Sequence, residues 1–197
     1  MYQPIPLLTL EEYLALDAAS EHKWEYEDGR VYCLAGSTND HAAIVSSLAS
    51  ALDLAIGNRP CRILTESPKV IAAARKHYYP DLVVSCDERE RGKDAVVHYP
   101  LLVAEVLSPS TEQHDKGAKL FAYQQVASIE NILLIAADER LAIIYERVPG
   151  DTGQWISRQY DMTRPDMHLS ALNVSLALPD LYRRTSLVLE AGQESEA

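Results

Sequence analysis

Tyr79-Pro80-Asp81-Leu82-Val83-Val84, then a charged loop, then Leu101-Leu102-Val103-Ala104-Glu105-Val106-Leu107 decide the fold of this chain. Both runs are short, apolar and rich in β-branched residues, so both read as strands. The second is apolar on both faces except at Glu105, the pattern of a strand in the middle of a covered sheet. Each strand therefore carries one carboxylate, Asp81 or Glu105, into apolar surroundings. An ionised carboxylate taken out of water needs a cation, a proton or hydrogen-bond donors to offset its desolvation. Downstream, Ser108-Pro109-Ser110-Thr111 leads into a helix expected over about 112–126, with Ser108 and Thr111 as its caps. Asp115, Lys119 and Tyr123 recur at four-residue spacing and share one face of it. Ala118, Phe121, Ala122 and Val126 form its expected apolar stripe. The crossover from Leu107 through this helix to a strand at Asn131 predicts a parallel, right-handed strand pair.

Upstream, Tyr78–Ser85 reads as the third strand of a meander whose first two strands, Cys61–Thr65 and Lys69–Ala74, pair across Glu66-Ser67-Pro68. Before them, Ile44, Val45, Leu48, Leu52 and Ile56 repeat at helical spacing, and Gly57 marks the end of that helix. His41 falls in its first turn. Trp24–Ala35 reads as a hairpin turning at Asp28-Gly29, with Glu25 on its first strand. Thr9-Leu10-Glu11-Glu12 is a capping box that opens a helix to about Asp17, with Leu10, Tyr13 and Leu14 facing inward. On the other side, Asp87–Asp94 is almost wholly charged and reads as a solvated loop. Asn131–Ala137 and Leu141–Arg147 form a second hairpin, and Trp155–Tyr160 a further strand. The sum is an α/β domain over residues 1–184 with a mixed sheet flanked by helices. Residues 185–197 form an acidic tail, expected to be partly disordered.

The chain has 197 residues, enough for one domain with a sizeable core. No apolar run reaches the roughly 18 residues of a membrane span, and the N-terminus lacks a signal-peptide pattern. No membrane association is expected, and a cytoplasmic location is. Cys33, Cys61 and Cys86 are odd in number and far apart, so they read as small apolar residues in a reducing compartment, not as a disulfide framework or a zinc site. The net charge of −11 excludes a broadly basic nucleic-acid-binding face. A nucleic-acid role must rest on a local basic patch, on metal ions or on a partner.

Two carboxylates on neighbouring strands can converge on one divalent ion, and oxygen ligands of this kind suit Mg²⁺. A lysine beside them can orient a nucleophile or steady a developing anion. Taken singly, the residues have plainer readings. Asp81 can be a strand-edge turn residue, Glu25 an exposed strand residue, and His41 a local hydrogen-bonder. Asp115 and Lys119 can be a solvated surface pair, and Glu105 with Lys119 a structural ion pair.

Taken together, Tyr79-Pro80-Asp81, Glu105-Val106-Leu107-Ser108-Pro109-Ser110-Thr111 and Asp115-x-x-x-Lys119-x-x-x-Tyr123 resemble the Uma2 family of restriction-endonuclease-like proteins, within the PD-(D/E)XK nuclease superfamily. Trp24-Glu25-Tyr26-Glu27-Asp28-Gly29 and His41 match that family's N-terminal elements, and the resemblance runs from Thr9 to about Tyr182. It implies a restriction-endonuclease-like core, a four-stranded mixed sheet flanked by helices, with an added N-terminal helix and hairpin. It also implies Mg²⁺-dependent (or Mn²⁺-dependent) cleavage of phosphodiester bonds, with DNA as the expected nucleic acid and a homodimer as the expected assembly. By position, Asp81 and Glu105 are the metal-binding acids and Glu25 an accessory acid. The superfamily's usual lysine position is Leu107 here, and its role passes to Lys119. His41, Ser108, Thr111, Asp115 and Tyr123 are supporting residues. Two other readings stand beside this one: a non-catalytic nucleic-acid-binding or transposon-associated module of the same fold, and an interaction protein in which Glu105–Lys119 is a structural ion pair.

Overall fold

The structure is a computed structural model that describes residues 7–34, 36–65, 68–92, 95–108, 115–150 and 153–188. The capping box forms as expected. Thr9 and Glu12 bond each other's backbone N–H groups and start α1 (Leu10–Ala19). Of the residues expected inside, Tyr13 is buried but Leu14 is 44% exposed. The hairpin β1 (Trp24–Glu27) and β2 (Arg30–Cys33) turns through Asp28 and Gly29, both at positive φ. Next comes α2 (Asn39–Ile56), capped by Thr38 and closed at Gly57.

The expected meander is split between two sheets. β3 (Arg62–Leu64) and β4 (Lys69–Ala73) do not pair with each other. β3 joins a large sheet and β4 a smaller one. The run expected as one strand over Tyr78–Ser85 is also two strands. β5 (Lys76–Tyr78) stays in the small sheet, and β6 (Leu82–Ser85) enters the large one. Pro80 is the physical reason, because it has no N–H to donate to a ladder and so ends one pairing before the next begins. The second switch, between β3 and β4, precedes Pro68 in the same way. Asp81 therefore lies at a crossing between sheets, not inside a strand.

After β6 the charged segment makes a 3₁₀ turn, Glu88–Arg91. It is not fully solvated, because Glu90 is buried and accepts hydrogen bonds from the His98 and Tyr99 N–H groups. A short β7 (Val96–Val97) pairs in parallel with β4. β8 (Leu102–Leu107) is buried along its whole length, as its sequence predicts. A wide π-type turn, Asp115–Lys119, is kinked at Gly117 and runs into α3 (Leu120–Gln124). The long regular helix expected here is thus a kinked turn and a short helix, and residues 112–114 lie outside the described residues. β9 (Asn131–Ala136) and β10 (Ala142–Arg147) form the second hairpin, and β11 (Trp155–Tyr160) extends it. β12 (Asp166–Leu169), β13 (Val174–Ala177) and α4 (Leu178–Tyr182) close the fold. Of the acidic tail expected over residues 185–197, Thr185 is buried and Ser186 donates to Asp40 of α2, and the residues from 189 on lie outside the described residues.

The large sheet has the order β11-β10-β9-β8-β6-β3, and the small sheet β2-β1-β5-β4-β7. Within the large sheet β8 and β9 are parallel, as expected, and the other pairs antiparallel. Strand alternation sorts the core into two faces. Leu82, Val84, Leu102, Ala104, Val106, Leu133 and Ile135 meet Ile44, Leu48 and Leu52 of α2. Val83, Val103, Leu107, Ile132 and Leu134 meet Val70 and Tyr78 of the small sheet and Leu120 and Tyr123 of α3. Each such Val, Leu or Ile side chain, fully buried, contributes roughly 1.5–3 kcal/mol. The two-residue period of β8 puts Glu105 on the second face, with Val103 and Leu107.

The cysteine expectation is corrected. Cys61 and Cys86 form a disulfide, and Cys33 is free and exposed. The pairing Arg62↔Ser85 of β3 with β6 brings Cys61 beside Cys86. A separation of 25 residues in sequence hides that neighbourhood.

Candidate active site

Lys119 leaves the kinked turn pointing into the protein, and its side chain is 4% exposed. Its Nζ lies 2.8 Å from Glu25 Oε1, 2.8 Å from Glu105 Oε1 and 3.5 Å from Asp115 Oδ1. Glu25 and Glu105 lie within hydrogen-bond reach of the ammonium, and Asp115 is a longer ion-pair partner. Glu25 comes from β1 of the small sheet and Glu105 from β8 of the large one, so Lys119 joins the two sheets. The Tyr123 hydroxyl donates to Glu105 Oε1 at 2.8 Å, and the Tyr79 backbone N–H donates to Glu25 Oε1 at 2.9 Å. The helix face expected to be polar thus turns inward. Phe121, expected in the apolar stripe, is 60% exposed, and Ala118 is exposed as well. Gly117 breaks the helical register, and the charge demand of Glu25 and Glu105 holds the polar face in.

Asp81 stands beside this cluster, with its side chain 26% exposed. Its Oδ2 accepts from the Val106 N–H at 2.8 Å and meets His41 Nε2 at 3.1 Å. The Thr38 cap, whose Oγ1 accepts from the His41 N–H, fixes the helix turn that presents His41. A cleft of about 1270 Å³ is lined by Glu25, His41, Asp81, Glu105, Asp115 and Lys119, with Ser108 also on its wall. Thr111 lies outside the described residues. Of the other residues singled out in the sequence, Glu25, His41, Asp81, Glu105, Ser108, Asp115 and Lys119 all line this cleft, and Tyr123 reaches it through Glu105.

The electrostatics follow from four carboxylates facing one ammonium. Burial pushes the Glu105 carboxyl well above the usual range; Lys119 pulls it back, while Asp115, Asp81 and Glu25 push it further up. Burial works against charge on Lys119, but Glu105, Glu25 and Asp115 outweigh it and hold the lysine well above its ordinary value. The two directions describe one cluster, in which the ammonium stays charged and Glu105 holds a proton more tightly than an isolated carboxyl. The hydrogen bond with Asp81 raises His41 above its ordinary value, against the effect of burial.

Among the described residues, no group of three or more His, Cys, Asp and Glu side chains is arranged to enclose a metal ion. Asp81 and Glu105 nonetheless fit an ion that takes few protein ligands. Asp81 Oδ1 and Glu105 Oε2 hold no hydrogen bond among the described residues. Mg²⁺ commonly binds one or two carboxylates and completes its shell with water and phosphate oxygens. A cluster with excess negative charge also favours a dication.

One set of contacts has no trace in local sequence spacing. Asp17 Oδ2 accepts from the Tyr79 hydroxyl at 2.6 Å and from Lys69 Nζ at 2.8 Å, and Asp17 Oδ1 accepts from the Trp24 N–H at 3.1 Å. These contacts tie α1 to the Tyr79-Pro80-Asp81 crossing. Their partners are more than fifty residues apart, apart from Trp24.

The family model described as "Putative restriction endonuclease" matches residues 10–183. A protein of Synechocystis sp., named there only as uncharacterized, is 31% identical over 181 residues, which is 91% of this chain and 94% of that one. A second Synechocystis protein, likewise named, is 31% identical over 132 residues, covering 66% of this chain and 75% of its own. Among solved structures, the crystal structure of "a putative nuclease belonging to DUF820" from Anabaena variabilis has a TM-score of 0.74 at 19% identity, covering 89% of this chain and 98% of that one. At that identity the likeness is one of fold. Among the described residues, no helix is long and apolar enough to cross a membrane.

Proposed function

The chain belongs to the Uma2 family of restriction-endonuclease-like proteins, and from that membership we propose that it hydrolyses phosphodiester bonds of nucleic acid, DNA foremost, at the Asp81–Glu105–Lys119 cluster. The observation that carries the proposal is the meeting of Asp81 and Glu105, from the crossing before β6 and from β8, beside a buried lysine in one open cleft. Asp81 and Glu105 are the residues that would hold Mg²⁺ or, in its place, Mn²⁺. When bound, the ion supplies Lewis acidity at the scissile phosphate and eases deprotonation of water. The chain's own groups do the rest. The Val106 N–H and His41 fix Asp81 by one oxygen. Tyr123 and Lys119 fix Glu105 by one oxygen. Glu25, itself held by the Tyr79 N–H, orients Lys119. Asp115, at 3.5 Å, is the loosest partner of Lys119 and the one a water or a phosphate oxygen can replace. So placed, the ammonium steadies negative charge as it builds on the phosphoryl oxygens. Attack by water forms one P–O bond as the ester P–O bond breaks, and the leaving oxygen takes up a proton.

The test is cleavage of labelled DNA and RNA by the purified protein with Mg²⁺, compared with Asp81→Ala and Glu105→Ala. Loss of cleavage in both variants supports the reading, and unchanged cleavage in either would falsify it. A second reading, the non-catalytic module of the same fold, is favoured by the enclosure of Lys119 among three carboxylates. It requires that the protein bind nucleic acid and leave it intact with either ion.

A further inference from the structure

The cleft that contains the acids has walls of a different character. Tyr32 and Leu34 of the hairpin line it, as do Ala42, Val45 and Ala49 of α2. These walls are apolar or aromatic and part-exposed. Among the described residues, the lysines lining the cleft are Lys23 and Lys119, and no arginine lines it; His41 is paired with Asp81. Lys119 is taken up by Glu25, Glu105 and Asp115. Lys23 has no ion pair among the described residues, and its Nζ lies 5.5 Å from the centre of the Tyr79 ring, at the cleft wall. Glu21, Glu25, Asp81, Glu105 and Asp115 make the rest of the charge negative. The segment 109–114 that follows Ser108 contains no Lys or Arg in its sequence.

This charge pattern discriminates between forms of nucleic acid. A duplex presents its phosphates outward and is held through several of them, often about six to ten. A cleft with one uncommitted lysine and five acids cannot match such a row. An unpaired strand can instead turn its bases onto apolar and aromatic surface. Stacking then supplies affinity that is indifferent to sequence, and few phosphates need a cation.

We propose, resting on the nuclease reading above, that the cleft takes an unpaired stretch of nucleic acid, its bases against Tyr32 and the α2 wall and a phosphate at Lys23. The substrate class is single-stranded DNA or RNA, or an unpaired end or flap of a duplex, whose shared chemistry is exposed base faces on a flexible backbone.

The test is fluorescence anisotropy with the full chain in Ca²⁺, a dication that also prefers oxygen ligands. The probes are a labelled single-stranded DNA, the RNA of the same sequence, and the DNA duplex. At least one single strand is expected to bind roughly tenfold more tightly than the duplex, with the DNA and RNA arms separating the two sources. Tyr32→Ala is expected to weaken single-strand binding roughly tenfold, while Tyr32→Phe, which keeps the ring, retains it. Duplex binding as tight as that of both single strands overturns the inference, and so does binding that is indifferent to Tyr32→Ala. Neither result bears on the nuclease reading, which stands or falls on whether cleavage depends on Asp81 and Glu105.

Discussion

Lys119 is the residue on which most of the site's free energy turns. Removing its charge leaves Glu25, Glu105 and Asp115 buried around an empty place. Lys119→Met is therefore expected to destabilise the fold by about 3–5 kcal/mol at neutral pH, read by urea denaturation. The pH dependence of that variant carries a sign. Glu105, held above its ordinary range, contributes its stability below the unfolded value, near 4.3 for Glu, and loses it as pH rises through the raised folded value. Lys119→Met should thus regain stability as pH falls from 7 toward 5, and a variant whose deficit stays constant over that range would contradict the account of the cluster. Asp17 runs the other way. Burial opposes its charge, but bonds from Lys69, Tyr79 and the Trp24 N–H outweigh burial and lower its pKa. Its contribution is present above the ordinary aspartate range and disappears as pH falls through the lowered value. Asp17→Asn should accordingly flatten the acid limb of the stability curve while leaving Lys119 and its partners in place.

At the scale of the element, the long apolar strands and the capped helices were legible from sequence, because periodicity and end signals are local. β8, β9 and β10 fall within a residue of their expected bounds, and α1 and α2 begin at their capping residues. The assignment of strands to sheets was not legible. It depends on where Pro68 and Pro80 interrupt pairing, and a proline shows that a ladder stops without showing where the next one forms. That Glu105 would be buried was legible, and the burial of Lys119, Asp115 and Glu25 was not. Lys119, Asp115 and Glu25 look like solvent residues until the three are placed around one another. The Asp17–Tyr79 and Cys61–Cys86 contacts join residues that only the tertiary fold brings together. Two expectations belong to this scale. Thr38→Ala removes the cap of the helix turn that carries His41, and a loss of about 1 kcal/mol in denaturation is expected. The Cys61–Cys86 link closes the β3–β6 pair, so a thiol reductant should lower the melting temperature of the wild type and leave that of Cys61→Ser/Cys86→Ser unchanged. Equal shifts in both proteins would rule out the link in solution.

For the whole molecule, a net charge of −11 and a cleft with more acids than cations mean that a dication should act on stability as well as on chemistry. Ligand that binds only the folded state raises its stability by about 2.7 kcal/mol at a hundredfold excess over the dissociation constant. Millimolar Mg²⁺ or Mn²⁺ is therefore expected to raise the melting temperature of the wild type and to leave that of Asp81→Ala unmoved. An equal rise in both would place the ion elsewhere. The way the two sheets are held together has a further consequence. Glu25, Glu105 and Lys119 are the polar fastening between them, so a descendant that had ceased to cut would still be bound to keep all three in order to fold. Their retention in a lineage testifies to architecture as much as to turnover. The pair Asp81 and His41, more exposed than the fastening and more easily spared by folding, is where lost activity would first leave its mark.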